Sequence, residues 1–165
     1  MSQSMEKEHL LLSRIKDKFG DKVRELYVNP ERIKILVDRE NIVKVAVFVR
    51  DLGFDQVISA GGTDFPREDS FVMDYHLISV DHDDLKRMIF NLSTKFPKKE
   101  PKTPSLMEVW LSAEYHEQET FEMLGIIFEG HPRMERLLLP EDWNDIPPLR
   151  KEFKLPSRLI EHGSS

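Results

Sequence analysis

Cysteine is absent from all 165 residues. Its absence excludes disulfide staples, thiol nucleophiles, Cys-ligated zinc and any iron–sulfur cluster held by the chain's own thiolates. An electron carrier working with this chain has to be held by a neighbour. Long apolar runs are missing too: Ile42–Val49 is broken by Lys44 and falls far short of the ~20 residues that a membrane-spanning helix needs. The N-terminal MSQSMEKEHLLL places acids ahead of a short apolar run and lacks a cleavage-site pattern, so a soluble, cytoplasmic chain is expected. No long block of one charge occurs, and a formal net charge of −6 offers no surface for tracking phosphates, which argues against nucleic acid as a partner. Glutamine and asparagine are sparse beside 33% charged residues, a balance met in proteins from hot environments.

A chain of this length is expected to form one domain with a core of its own. From Lys7 to Phe19, Leu10, Leu11, Leu12, Ile15 and Phe19 recur at helical spacing and Gly20 supplies a stop. Val23–Val28 and Arg32–Val37 read as short strands turned at Asn29-Pro30. Asp38 is placed to cap a helix over Glu40–Leu52, with Ile42, Val43, Ala46, Val47, Val49 and Leu52 on one wide apolar face. Three strand-like runs follow, Gln56–Asp64, Ser70–Val80 and Arg87–Ser93, the middle one alternating Phe71, Met73, Tyr75, Leu77 and Ser79 with its neighbours. The Gly61-Gly62 pair inside the first run reads as a bulge or turn and not as a phosphate cradle, since no helix follows it. The lysine- and proline-rich PKKEPKTP at 97–104 reads as an exposed loop.

Ser105 and Glu108 have capping-box spacing, and the helix they predict runs to Leu124, where Gly125 stops it. Leu106, Val109, Trp110, Ala113, Phe121 and Leu124 share one face of that helix, and Glu117 completes their row. An ionised carboxylate in an apolar stripe needs an Arg or Lys partner, backbone donors or a raised pKa. Arg136, Arg150 and Lys151 are the nearest cationic candidates along the chain. His116-Glu117 begins like a zinc-protease motif, but the position one turn on is Thr120, not histidine. Glu114, Glu117, Glu119 and Glu122 lie on a single acidic helix, whereas a di-iron site draws ligands from four. His131, between Gly130 and Pro132, suits a structural hydrogen bond in a turn better than a proton shuttle. Neither a P-loop nor a dinucleotide fingerprint occurs, and Trp143 reads as core or interface. A free-standing enzyme would have only the Glu117–His131 region to draw on. A regulatory module would bind through its sheet edge.

The run EYHEQETFEMLGIIFEGHPRMERLLLPEDWNDIPPLRKEF, residues 114–153, resembles the signature segment of the thirty-kilodalton subunit family. That family comprises the C subunit of NADH:quinone oxidoreductase (complex I) and its relatives in membrane-bound hydrogenases and archaeal sulfur-reducing complexes. The resemblance rests on Glu117, Glu119, Glu122, Leu124, Gly125, Phe128, Gly130, His131, Pro132, Arg136, Asp142, Trp143, Pro148, Leu149, Arg150 and Lys151. Gln118, Glu135 and the Asn144–Pro147 turn depart from the family pattern and bear on the subtype of complex. The resemblance implies an α+β domain over residues 1–152, mostly antiparallel sheet with helices on one face, and an extended tail at 153–165. It further implies a non-catalytic subunit that binds no cofactor or metal, in the peripheral arm of a membrane-bound complex on its cytoplasmic side. Such a subunit docks on a hydrogenase-like large subunit, close to an iron–sulfur small subunit that carries the clusters, and does not insert in the membrane. The tail FKLPSRLIEHGSS is expected to lie across a neighbouring subunit.

Overall fold

The computed structural model describes residues 5–154. Helix α1 (Glu6–Phe19) buries Leu11, Leu12 and Ile15 but leaves Leu10 62% exposed, and it ends at Gly20 as expected, with φ 56°. Acids in its first turn and lysines in its last complement the helix dipole. Strands β1 (Val23–Asn29) and β2 (Arg32–Val37) form the expected hairpin. Helix α2 (Ile42–Asp51) buries Ile42, Val45, Ala46 and Val49. It is preceded by a single 3₁₀ turn, Arg39–Asn41, and Asp38 makes no side-chain cap, so the helix is shorter than the pattern predicts. Strands β3 (Gln56–Phe65) and β4 (Ser70–Ile78) form a second hairpin, followed by β5 (Ile89–Pro97).

The main sheet has the order β1-β2-β5-β4-β3 and is antiparallel except between β2 and β5. Ile33, Ile35 and Val37 of β2, Phe90, Leu92 and Phe96 of β5, and Phe71, Met73, Tyr75 and Leu77 of β4 all point to the inner face, where the helices pack. Each such side chain, fully buried, contributes roughly 1.5–3 kcal/mol. Alternation in 70–79 therefore identified the buried face correctly. Strand β5 starts two residues later than expected and runs on to Pro97, because Thr94 and Phe96 keep the inward alternation through TKFP.

Other expectations fail. Residues 97–104 are not all loop: Lys102–Pro104 is strand β6, paired in parallel with β7 (Ile127–Glu129), and Thr103 is buried. The long helix from Ser105 is not formed either, and α3 spans only Glu114–Leu124. Between them Leu106 closes one turn with Val109 and Trp110, whose indole N–H donates 2.8 Å to the Phe54 carbonyl, pinning the chain to the core in an extended conformation. The Ser105 hydroxyl is used elsewhere, so no capping box forms.

Gly61 and Gly62 lie inside β3, and the bulge falls instead between Val57 and Ser59. Gly62 marks where α3 crosses the sheet: a Cβ there would lie 2.6 Å from Leu124 Cδ1 and 2.9 Å from Ile126 Cδ1, both on buried side chains. A Cβ at Gly61 meets nothing within 4 Å. Among the described residues, no helix is long and apolar enough to cross a membrane. Gly62→Val is expected to lower unfolding stability by about 1–3 kcal/mol through overpacking, with Gly61→Val near neutral, as measured by urea unfolding of the full chain. Equal effects at the two positions would show that α3 does not need the close approach.

Candidate functional site

Helix α3 organises everything that follows it. Glu117 is fully buried, and of the alternatives expected for it a backbone donor and a raised pKa hold, while no cation among the described residues pairs with it. Instead its carboxylate accepts hydrogen bonds from the Tyr75 hydroxyl at 2.9 Å, the Leu106 N–H at 2.8 Å and the Ser105 hydroxyl at 2.5 Å. Three separate elements therefore meet at one side chain: β4, the segment after β6, and α3. Burial pushes the Glu117 carboxyl above the ordinary glutamate range, with Ser105, Leu106, Tyr75 and the nearby His131 pulling part of the way back. Burial and the adjacent carboxylate push Tyr75 well above the usual phenol value, so its hydroxyl keeps its proton and donates. The Ser105 oxygen also accepts the Met107 N–H at 3.1 Å.

The cations named from the sequence do other work. Arg150 Nε donates 2.7 Å to the Leu124 carbonyl at the end of α3, where the helix dipole favours positive charge, and its guanidinium lies 5.4 Å from the Phe71 ring centroid. Gly125 is left-handed, with φ 71°, and a Cβ there would lie 2.8 Å from Arg150 Nη2, so glycine serves both the helix stop and the passage of the arginine. The Lys151 N–H donates 2.9 Å to Asp64, whose buried carboxylate also pairs with Lys98 at 3.1 Å, and the Leu149 N–H donates to the Met123 carbonyl at 2.9 Å. Arg136 donates to the carbonyls of Pro140 and Glu141, both at 3.2 Å, closing its own loop.

Glu122, also buried, accepts the N–H groups of Leu138, at 2.9 Å, and Leu139, at 2.6 Å. Gln118 Nε2 donates 2.8 Å to the Arg133 carbonyl. His131 accepts the Arg133 N–H at Nδ1, 3.1 Å away, so its proton sits on Nε2 and points at the Glu114 carbonyl 3.3 Å away. With both imidazole nitrogens committed and Glu117 fully buried, neither group is offered to a substrate. Trp143 is half-buried, its indole N–H on the Asp145 carbonyl and its ring 5.8 Å from Phe153. The polar groups of α3 thus hold the backbone of residues 131–151, while that segment turns apolar side chains outward: Leu137 is 47% exposed, Leu138 65%, Ile146 40% and Leu149 59%. Glu119 and Pro132 are exposed, Gly130 takes φ 86° between β7 and His131, and Pro148 is half-buried.

A family model described as "Respiratory-chain NADH dehydrogenase, 30 Kd subunit" matches residues 35–159. The chain belongs to this family. The C subunit of the F(420)H(2) dehydrogenase of Methanosarcina mazei is 31% identical over 155 residues, covering 92% of this chain and 96% of that one. The C subunit of the NADH-quinone oxidoreductase of a Roseiflexus species is 43% identical over 139 residues, covering 82% of this chain and 72% of that protein. Its counterpart in Chloroherpeton thalassium is 35% identical over 154 residues, 90% of this chain but 61% of the relative. Among solved structures, one polypeptide of the membrane-bound sulfane sulfur reductase, an archaeal respiratory membrane complex, superposes with TM-score 0.81 over 94% of this chain and 91% of that one at 20% identity. A trypsin-resistant fragment of Nqo5 superposes with TM-score 0.63 over 77% of this chain and 98% of that one at 23% identity. These two likenesses concern the fold.

Here the signature of the 30-kilodalton subunit family forms a self-fastening strap. Sequence reasoning missed Tyr75, Ser105, Asp64 and Gln118 as its anchors. Tyr75 alone carried a signal, a hydroxyl on the inward side of an alternating strand. Residues 155–165 of the expected tail lie outside the described residues.

Glu117→Ala leaves the Leu106 N–H and the Tyr75 hydroxyl buried without partners and is expected to destabilise the full chain by about 1–3 kcal/mol for each group. Because folding raises the Glu117 pKa, its stabilising contribution is complete below the ordinary value of 4.5 and is lost as pH rises through the raised value. Unfolding midpoints followed from pH 4 to 8 are expected to fall more for the wild-type chain than for Glu117→Gln; parallel curves would refute the assignment. Glu122→Ala is expected to speed proteolytic cutting within residues 134–141 severalfold, since it removes the acceptor for two N–H groups of that loop. An unchanged cutting rate would show that Glu122 does not hold it.

Proposed function

We propose that the chain is a non-catalytic structural subunit in the peripheral arm of a membrane-bound, complex I-related oxidoreductase. It docks on a hydrogenase-like large subunit, beside an iron–sulfur small subunit, and supports electron transfer coupled to ion translocation. The observation that carries this reading is the strap. Its backbone is fastened to α3 by Glu122, Gln118 and Arg150, while Leu137, Leu138, Ile146 and Leu149 are left facing outward. A loop held this firmly yet apolar on its outer side has the make-up of an interface core. Attachment is peripheral, on the cytoplasmic side and through partners, and the lack of cysteine supports placing the clusters in neighbouring subunits.

Leu138 is held through its backbone N–H while its side chain is turned outward, and Leu137 beside it is exposed as well. Leu138→Asp, alone or with Leu137→Asp, is expected to leave the unfolding midpoint of the chain nearly unchanged, since surface substitutions stay within about 0.5 kcal/mol. It is expected to lower recovery of the chain with an affinity-tagged large subunit at least about tenfold. Undiminished recovery of a folded variant would overturn the docking assignment.

A further inference from the structure

We propose that the outer face of the main sheet is a second interaction surface, one that takes an acidic segment of another subunit of the same complex. This rests on the reading of the chain as a subunit but uses none of the strap. All three helices lie on the inner face, and nothing among the described residues covers the outer one.

The centre of that face carries a run of polar side chains. Lys34 of β2 pairs with Asp74 of β4 at 2.9 Å. The Ser93 hydroxyl of β5 donates to the same carboxylate, and its oxygen lies 3.0 Å from Asn91 Oδ1. The Asn91 amide in turn lies 2.9 Å from His76 Nε2. Ser93 and Asn91 are 0% and 3% exposed although they point away from the core, shielded by longer neighbours. This run crosses three strands and leaves one buried polar atom, His76 Nδ1, without a partner among the described residues.

What remains on the face is positive. The charged side chains that the register sends outward are Arg24, Arg32, Lys34 and Lys95, against Asp74 alone. Lys34 is neutralised by Asp74, and Lys95 by Glu68 from the β3–β4 turn. Arg24 and Arg32 are exposed and form no ion pair among the described residues. Beside Arg24 the face dips into a hollow of about 380 Å³ lined by Lys22, Arg24, Lys95 and Leu36 and also by the two acids Asp21 and Asp38. Tyr27, 38% exposed, stands next to Lys34 on the same side. On a chain whose formal net charge is −6, this surplus of cations is a local departure, and its complement is a chain segment rich in Asp and Glu. Arginine suits such carboxylates because its planar fork takes them bidentately.

The test uses the assembled complex. A photo-cross-linking residue in place of Leu36 is expected to give adducts with a segment of another subunit that carries more acids than bases. The double variant Arg24→Glu, Arg32→Glu is expected to dissociate from a tagged large subunit at a salt concentration about twofold or more below that of the wild-type chain. Arg24→Gln with Arg32→Gln should fall between them, and circular dichroism should report all three as folded. Adducts confined to lipid, to a second copy of the chain or to a segment without acidic excess would overturn the proposal, as would no adduct or an unchanged dissociation midpoint. Failure of the wild-type chain to co-purify at all would instead refute its reading as a subunit.

Discussion

The hydrogen bonds converging on Glu117 are the constraint on which the rest depends. A carboxylate in an apolar interior is expensive unless its oxygens are occupied, and here a strand residue and two donors of the segment after β6 occupy them from outside the helix. The site needs no countercharge because it does not have to remain ionised. A protonated Glu117 can donate to the Ser105 oxygen, and an ionised one can accept from the Ser105 hydroxyl, so the contact survives in both states. That tolerance separates it from a salt bridge, whose removal on one side strands a charge on the other.

Around this point the acids of α3 divide by burial. Glu122 faces backbone N–H groups and acts as a fixed acceptor, Glu119 is solvated, and Glu117 locks the helix to the sheet. None gathers with another into a ligand set, and among the described residues no group of acids and histidines is placed to hold a metal. Two of the clustered acids are separate attachments: Glu117 takes the Tyr75 and Ser105 hydroxyls with the Leu106 N–H, and Glu122 takes the Leu138 and Leu139 N–H groups.

Period-two alternation and helical spacing made the sheet, the inner face and the first two helices legible, because those signals reflect burial directly. The helix expected from Ser105 failed for a reason invisible in local sequence. Trp110 gains more by reaching the Phe54 carbonyl than by joining a helix, and Ser105 gains more as a donor to Glu117 than as a cap. Strand β6 was missed because its partner β7 lies far along the chain and both are only three residues long. At the site, burial of Glu117 and its need for a donor were legible, but the Tyr75 and Ser105 hydroxyls that meet it were not. A helical stripe reports which side faces inward, but not that a tyrosine on another element waits there. Arg150 was named as a candidate partner of Glu117 and donates instead to the Leu124 carbonyl, because the carbonyls at a helix end leave no mark in composition.

The strand order carries a temporal consequence. β5 is last of the five in the chain yet lies at the centre of the sheet, between β2 and β4. During synthesis from the N-terminus the hairpins β1–β2 and β3–β4 each emerge with an unpaired inner edge, and neither can be closed until residues 89–97 leave the ribosome. Helix α3 and its strap come later still, and Glu117 has no completed sheet to lock onto before then. The fastening of residues 131–151 to α3 is therefore completed late in translation, so that the half-made chain presents open strand edges before that segment has anything to fasten to.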